Sequence, residues 1–212
     1  MKIGVLIPTR GDRKNFLIHA LKLISNQTQQ PDEIFIVDEK PKSNEIDITY
    51  RYRVGCEKLF KKGCDVILFW EDDDWYHENY IEIMIKNWLF FGEPDLFGLG
   101  STTYYHIGVN KYRTMIHKGR SSAFTTMVTK EIMNINFGKD SERFFDIHLW
   151  KQSLRKETFL YPENICLGIK HGVGSCGGKA HLNDFPYDKE DADLSFLKLI
   201  VDEDSFKFYT SL

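Results

Sequence analysis

The stretch DVILFWEDDDWY, residues 65–76, places four acidic residues directly after an apolar run. That run, 65–70, is continuously apolar after its first residue, which is typical of a strand buried on both faces of a sheet. Two similar runs precede it, Ile3 to Pro8 and Glu33 to Asp38. Helical spacing of apolar residues separates the three runs. The order β-α-β-α-β therefore predicts an α/β fold with a doubly wound, mostly parallel sheet.

The remaining elements are predicted from spacing and from punctuating residues. Further helices are expected after an N-terminal cap at Asp12, over about residues 43–62 with Gly63 as its stop, and over about 78–91 and 141–156. Three further strands are expected in the second half, over 96–107, 109–117 and 123–128. The glycine-rich segment 168–181 predicts a loop.

Length and composition restrict the class of protein. The 212 residues, 42% hydrophobic and 28% charged, predict a single domain over 1–212. The pattern changes after residue 95, which divides the domain into a first half, 1–95, and a second half, 96–212. The net charge of −3 argues against a protein that coats bulk nucleic acid. No stretch of about 18 uncharged apolar residues predicts a membrane span.

The cysteines bear on location and on metal chemistry. The chain has four, none in a CxxC pair, which argues against a zinc knuckle. Scattered thiols in a chain of this length favour a reducing compartment, and a cytoplasmic location is expected. Cys176 is expected to be structural.

The chemistry is expected where the predicted strands end. In open α/β sheets ligands bind outside the carboxyl ends of the strands. The first strand is followed by Thr9, Arg10 and Arg13, the second by Asp38, and the third by 71–74. Adjacent carboxylates repel one another, and Mg²⁺ or Mn²⁺ would relieve the repulsion and hold substrate phosphates. A solvated acidic loop is the alternative, but the three strand ends together favour a nucleotide-diphosphate site.

Three segments carry a resemblance to a known family: IPTRGDR at 7–13, EIFIVDE at 33–39 and ILFWEDDDWYHENYIE at 67–82. The sequence resembles the glycosyltransferase-A (GT-A) fold and, within it, the family-two-like inverting enzymes. The resemblance implies a Rossmann-like fold, with a mostly parallel central sheet flanked by helices and a small antiparallel acceptor-side region. It also implies a nucleotide-diphosphate-sugar donor. The donor's nucleotide would be held by residues after the first two strands: Pro8, Thr9, Arg10, Arg13 and Asp38.

The acidic stretch stands where the family has its metal-binding DxD-type motif. Glu71 occupies a position that is usually Asp, so the motif is either Glu71–Asp73 or Asp72–Asp74. The resemblance implies that Asp73 binds Mn²⁺ or Mg²⁺, with Asp72 and Asp74 as alternative metal ligands, and that Asp72 lies near the nucleotide sugar.

Two later segments extend the resemblance. FDIHLW at 145–150 resembles the family's Glu-Asp-x-x-Leu-Trp helix start, which implies that Asp146 is the catalytic base, although Phe145 replaces the usual Glu. HGVGS at 171–175 resembles the family's late His-Gly-x-x-Ser loop, which implies that His171 contacts the metal or the diphosphate. Lys170 and Lys179 are expected to neutralise phosphate.

The function implied is a metal-dependent glycosyltransferase that moves a sugar to an acceptor hydroxyl with inversion. The acceptor stays open: a glycan, a lipid-linked sugar, a protein or a modified DNA base. Basic clusters at 51–53, 61–62, 111–113 and 118–120 would suit phosphates, but a solvated charged surface is the preferred interpretation. Four aromatic residues would suit sugar stacking, or the core: Trp75, Tyr76, Tyr104 and Tyr105.

Two other functions are compatible with the sequence. A nucleotidyltransferase would combine the same sheet with phosphate and Mg²⁺, but it usually has a glycine-rich loop after the first strand, where IPTRGDR has one glycine. A non-catalytic nucleotide-sugar-binding module would keep the fold without turnover.

Overall fold

Two β-sheets form the frame of the structure, a computed structural model that describes residues 1–41, 46–135, 145–172 and 187–212. The strands in these residues are β1 (Ile3–Pro8), β2 (Glu33–Val37), β3 (Val66–Phe69), β4 (Trp75–Tyr76), β5 (Leu96–Leu99), β6 (Ser101–His106), β7 (Lys111–Ile116), β8 (Thr126–Thr129), β9 (Lys156–Phe159), β10 (Cys166–Lys170) and β11 (Lys189–Glu190). The α-helices are α1 (Lys14–Ser25), α2 (Asp47–Lys61), α3 (Tyr80–Phe90), α4 (Phe145–Trp150), α5 (Ser195–Ile200) and α6 (Glu203–Thr210).

The first sheet has the strand order β2-β1-β3-β8-β5-β9. Strand β1 pairs in parallel with both β2 and β3, and β5 pairs in parallel with β9. Strand β8 is antiparallel to its two neighbours, β3 and β5. The predicted mostly parallel sheet and its β-α-β-α-β beginning are therefore confirmed.

Strand β1 shows why its sequence is continuously apolar. Every residue of β1 is buried. Val5 and Ile7 pack into a core cluster that includes residues of α1 and α3, whereas Leu6 packs into a second cluster with residues of α2. Successive side chains of a strand point to opposite faces, so a sheet with helices on both faces requires apolar residues at every position.

The second sheet has the order β11-β7-β6-β10-β4 and is antiparallel except for the pair β6 and β10. Its presence corrects one strand prediction, because 96–107 is not a single strand. The chain leaves the first sheet after β5 and enters the second with β6, and Gly100 lies between them. At the crossing, the Gly100 amide donates a 2.8 Å hydrogen bond to the Phe159 carbonyl at the end of β9, and the Gly100 carbonyl accepts one of 2.7 Å from the His117 amide.

Two helix predictions were wrong at their boundaries. Asp12 does not cap α1, which begins at Lys14 without a side-chain cap, because the Asp12 carboxylate pairs with Arg10. The helix expected over 141–156 ends at Trp150, and its first residues lie outside the described part of the chain.

Two predictions about irregular segments were also wrong in part. The predicted loop over 168–181 begins too early, since Gly168–Lys170 belong to the buried strand β10, and 173–181 lie outside the described residues. The strand expected over 123–128 is a 3-10 turn, Ala123–Thr125, followed by β8.

Three of the four cysteines lie in the described part of the chain. Cys56, Cys64 and Cys166 are free and buried, and burial raises the pKa of each thiol, while Cys176 lies outside the described residues.

In the described ranges, no helix combines the length and the apolarity that crossing a membrane requires.

Gly55 lets α2 lie directly on β1, and this contact predicts a stability effect. A Cβ at Gly55 would lie 2.0 Å from Leu6 Cδ1, well inside van der Waals contact. We expect Gly55→Ala to lower the free energy of unfolding by about 1–3 kcal/mol, the usual effect of overpacking a core. Urea unfolding measures the effect, and Lys58→Ala, at an exposed position of the same helix, is the control. An unchanged urea midpoint for Gly55→Ala would contradict the packing described.

Candidate functional site

The carboxyl ends of β1, β3 and β10 meet at one edge of the two sheets. Strands β1 and β3 are parallel neighbours, so Thr9 and the acidic turn 71–74 leave the first sheet side by side. Asp74 joins this turn to the second sheet, because its Oδ1 accepts a 2.7 Å hydrogen bond from the Ile169 backbone in β10. His171 follows β10 directly and reaches the same place.

The acidic turn divides into two parts. Carboxylate oxygens of Glu71, Asp73 and Asp74 lie within 4.8 Å of one another. Asp72 points elsewhere: it accepts hydrogen bonds of 2.5 Å from the Thr9 hydroxyl and from Arg13 Nη2. We call Glu71, Asp73 and Asp74 the carboxylate cluster.

Arg13 and His171 contact the rim of this cluster. Arg13 Nη1 donates to Asp73 Oδ2 at 2.6 Å, so the guanidinium bridges Asp72 and Asp73. His171 Nε2 lies 3.0 Å from the same oxygen and 3.2 Å from Arg13 Nη1. Three residues predicted from separate segments of the sequence, Arg13, Asp73 and His171, are therefore in direct contact.

The pKa values of Glu71, Asp72 and Asp74 are raised, because burial and neighbouring negative charge outweigh the nearby positive charge. Burial and the neighbouring Asp73 raise the pKa of Glu71 to about 7 and that of Asp72 to about 6. Burial also raises the pKa of Asp74. For Asp73 burial acts in the same direction, but the hydrogen bond with His171 and the charge of Arg13 outweigh it and hold the pKa below its ordinary value. Burial and mutual repulsion thus disfavour the charged forms of Glu71, Asp72 and Asp74, and a cation bound beside them would favour those forms.

The donor set of the carboxylate cluster fits a hard divalent cation. Its ligand atoms are carboxylate oxygens, which suit Mg²⁺ and Mn²⁺. Asp74 Oδ2 is buried and has no hydrogen-bond partner among the described residues. A buried carboxylate oxygen without a partner is costly, and a bound cation would satisfy it.

Arg51 links the backbone segments at the carboxyl ends of β1 and β2. Its side chain is 1% exposed. Its Nη1 donates hydrogen bonds to the carbonyl oxygen of Thr9, which follows β1, and to that of Val37, the last residue of β2. The exposed Asp47 pairs with the same guanidinium from one helical turn away. The interpretation of residues 51–53 as a solvated basic surface is therefore wrong for Arg51.

Asp146 lies at the start of α4, on the same side of the first sheet as α2. Phe145 stacks on Tyr52 with ring centroids 4.8 Å apart, and the Tyr52 hydroxyl donates to Glu71 Oε1 at 2.9 Å. Besides burial, the charges of Glu71 and Asp146 both raise the pKa of this tyrosine, so the two carboxylates are near neighbours of one phenol.

The Asp146 carboxylate has a cationic partner. Arg120 Nη1 donates to Asp146 Oδ2 at 2.9 Å. Burial raises the pKa of Asp146, and the charge of Arg120 opposes that effect without cancelling it. Sequence reasoning placed Arg120 only among surface charges. No local spacing signals a contact between residues 26 positions apart.

The remaining predicted binding residues occupy the ends of β1 and β2. Pro8 is buried within β1, and the Thr9 amide donates to the Val37 carbonyl. Asp38 follows that carbonyl and is exposed, and a Cβ at Gly11 would lie 3.9 Å from the Asp38 Cβ. Arg10 is exposed and pairs with Asp12, so it does not contact the acidic turn.

Most of the aromatic residues considered for sugar stacking belong to the core. Trp75, Tyr76 and Tyr105 are at most 2% exposed. Tyr76 lies under the acidic turn, where its hydroxyl accepts a hydrogen bond from the Glu71 amide and donates to the Phe124 carbonyl. Tyr104 is only partly buried, and its ring lies 5.3 Å from Lys170 Nζ.

The sequence matches no protein-family model and no curated protein. Solved structures do match. TarS residues 1–349 from S. aureus, in complex with UDP-GlcNAc, superpose with a TM-score of 0.57 at 10% identity, over 86% of this chain and 62% of that one. A glycosyltransferase involved in glycosylation of the major capsid of PBCV-1 has a TM-score of 0.52 at 8% identity, over 82% and 95%. A197 from STIV has a TM-score of 0.51 at 16% identity, over 76% and 82%.

These likenesses establish the fold. The chain has a Rossmann-like, GT-A-like glycosyltransferase fold, as the sequence resemblance implied. It spans about 62% of the TarS fragment.

Proposed function

We propose that this protein is a glycosyltransferase that uses a nucleotide-diphosphate sugar and a divalent cation, Mn²⁺ or Mg²⁺. The observation that carries the proposal is the convergence of the carboxylate cluster, Arg13 and His171 at the carboxyl ends of β1, β3 and β10. Two TarS structures with this fold hold UDP and UDP-GlcNAc, which supports a nucleotide-sugar donor.

The donor would lie across the ends of β1 and β2. Asp38 is exposed beside Gly11 and would accept hydrogen bonds from the nucleoside. Thr9 and Asp72, linked at 2.5 Å, would shape the floor under the diphosphate, and Arg13 would bind it through its planar guanidinium.

The carboxylate cluster would hold the cation, with His171 beside it. Asp73 and Asp74 would be the principal ligands, with Glu71 as the third carboxylate. A bound divalent cation neutralises the charge that develops on a leaving nucleoside diphosphate.

Asp146 would be the base that deprotonates the acceptor hydroxyl. Burial and a raised pKa suit a proton acceptor. The hydroxyl oxygen would then attack the anomeric carbon opposite the leaving diphosphate, which inverts the configuration at that carbon. Arg120 would orient the carboxylate. The acceptor is proposed only as a hydroxyl-bearing molecule: a glycan, a protein or a modified DNA base.

A thermal-shift panel tests the donor half of this proposal. UDP-, GDP-, CMP- and dTDP-linked sugars are each added with Mn²⁺ and with EDTA. We expect one nucleotide class to raise the melting temperature when Mn²⁺ is present, since a ligand that binds only the folded state stabilises it. At a ligand concentration 100 times its Kd, the gain is about 2.7 kcal/mol. A folded sample that shifts with none of these ligands would contradict the proposal.

The ion pair between Arg120 and Asp146 favours a second candidate, a nucleotide-sugar-binding module without turnover. The charge of Arg120 lowers the basicity that burial gives to the Asp146 carboxylate. Release of nucleoside diphosphate in the presence of an acceptor separates the two functions, because a binding module would shift its melting temperature without releasing product.

A further inference from the structure

We infer that a small polar cavity at the amino ends of β6 and β10 binds one ring of a neutral sugar, at a site separate from the proposed donor site. The cavity measures about 190 Å³, and residues of β6, β7, β10 and the connection 160–165 line it. Pockets that enclose drug-sized molecules measure about 300–1,000 Å³, so this cavity suits a single-ring ligand. The inference goes beyond the proposed function, because binding here needs neither a nucleotide nor a metal.

The cavity lies at the opposite end of β10 from the carboxylate cluster. Cys166, the first residue of β10, lines the cavity, whereas His171 follows the last residue of the strand. Strand β10 has five residues, so at about 3.3 Å per residue these two positions are about 16 Å apart. The cavity is therefore distinct from the place where the donor is proposed to bind.

Two chain crossings of unequal length create the cavity. The parallel neighbours β5 and β9 of the first sheet continue into the second sheet as the parallel neighbours β6 and β10. Gly100 alone makes the first crossing, whereas residues 160–165 make the second. The longer connection forms one wall of the cavity, and β6 and β7 form the wall that faces it.

Hydrogen bonds hold the longer connection in place. The Ile165 carbonyl accepts a 2.9 Å hydrogen bond from the His77 amide, and Asn164 Oδ1 accepts one of 2.7 Å from the Thr103 hydroxyl. Thr103 is 2% exposed, so this second contact lies at the base of the cavity. The walls are fixed before a ligand arrives, which favours binding because less conformational entropy is lost.

The lining offers hydrogen-bond donors and acceptors together. The Thr103 hydroxyl has one proton, which Asn164 accepts, so Thr114 is the donor in the 2.9 Å contact between the two threonine hydroxyls. The Asn164 side-chain N–H groups and the Ser101 hydroxyl have no partner in the described part of the chain. A sugar ring carries adjacent hydroxyls that each donate and accept, so it matches this combination of groups.

Charge and aromatic surface narrow the class of ligand. Among the described residues that line the cavity, Glu163 alone is charged, and it is exposed. Its carboxylate accepts hydrogen bonds from hydroxyls and repels anions, which disfavours phosphates, nucleotides and uronic acids. Tyr161 adds a half-buried ring, packed edge-on against Phe159 with centroids 6.4 Å apart. An aromatic ring provides apolar area for the C–H face of a neutral sugar.

Nuclear magnetic resonance of the isotope-labelled protein tests the inference. Methyl α-glucoside, methyl β-galactoside and N-acetylglucosamine are titrated in EDTA and without nucleotide. We expect at least one of these neutral sugars to shift the backbone amide signals of Ser101, Glu163 and Asn164 to saturation, and to leave those of Asp72 and Asp73 unchanged. A millimolar dissociation constant is expected for a ligand of this size.

Two variants test the cavity and its charge. Ser101→Leu fills the cavity and should weaken the bound sugar at least about tenfold. Glu163→Gln keeps the shape of the side chain and removes its charge. It should leave the neutral sugar within about threefold and strengthen glucuronate binding by about five- to tenfold. Glu157→Gln, at an exposed position of β9 outside the lining, is the matched control and should change neither affinity.

The opposite responses of the two sugars separate a charge effect from structural damage, which would weaken both. If circular dichroism shows that Ser101→Leu does not fold, Thr114→Phe, at an exposed position of the rim, blocks the cavity instead. Amide shifts that fail to saturate with every sugar, or that lie only at 71–74, would overturn the inference. Unchanged sugar affinity in a folded cavity-filling variant would overturn it as well, and equal glucuronate binding in Glu163→Gln and wild type would overturn the role of the carboxylate.

Discussion

Asp146→Asn should lower kcat by about 10²–10⁴-fold while the donor still raises the melting temperature as in the wild type. Asparagine keeps the shape of the side chain and its hydrogen bond from Arg120, but its amide cannot take a proton from the acceptor. The contacts proposed for the donor lie at the ends of β1 and β2, so donor binding should not change. Product release and the thermal shift are measured on the same preparation.

The pH dependence gives this prediction a second readout. A base works only as a carboxylate, and burial raises the pKa of Asp146, so kcat/KM should fall on acidification from a pH above the usual range of aspartate. Arg120 lowers that pKa. Arg120→Gln should therefore move the acidic limb of the profile to higher pH, by about one unit or more.

Glu203→Gln is a suitable control, because Glu203 is an exposed carboxylate that forms an ion pair with Lys207 on α6. It should change neither kcat nor the pH profile. Loss of donor binding in Asp146→Asn, equal to its loss of activity, would contradict the role of Asp146 as a base.

Asp73→Asn should abolish the Mn²⁺-dependent part of the donor's thermal shift and lower kcat by about 10²–10³-fold. Asp73 is the carboxylate shared by the cluster, Arg13 and His171, so the loss of its charge should affect the whole of the proposed cation site. Several kcal/mol of stabilisation of the leaving group depend on a cation held there.

The same variant separates metal binding from folding. Asparagine still offers an oxygen to Arg13, and Arg13 keeps its 2.5 Å contact with Asp72, so the fold should persist. Circular dichroism and the melting temperature without ligand verify this. A donor shift that still requires Mn²⁺ in Asp73→Asn would show that Asp73 is not a ligand, and Asp74→Asn would then be the variant to compare.

The sequence predicted some of the contacts on which these predictions depend and gave no signal for others. The acidic turn and Arg13 were predicted from the residues that follow strands, because the carboxyl ends of parallel neighbours lie at one edge of the sheet. His171 was implied by the resemblance of residues 171–175 to a loop of the family. Their mutual contacts then follow from the order β2-β1-β3 and from the pairing of β10 with β6. Phe145, which departs from the family pattern, is accounted for by its stacking on Tyr52.

Other features had no local signal. The stretch 96–107 contains one continuous strand pattern, yet the chain changes sheets at Gly100, because β5 pairs with β8 and β9 whereas β6 pairs with β7 and β10. The partners of Asp74 and Asp146 come from residues 95 and 26 positions away. Such contacts depend on how the two sheets meet, which no short window of sequence contains.

The sequence by itself determined the doubly wound half of this protein and the chemistry at its strand ends. Continuous apolar runs can only be buried on both faces, and the polar residues that follow them must emerge at the sheet edge. Only the tertiary structure decided which carboxylates of the acidic turn converge and that Asp72 turns to Thr9 and Arg13. Side-chain direction within a turn depends on partners brought from distant strands, and those partners exist only once both sheets have formed.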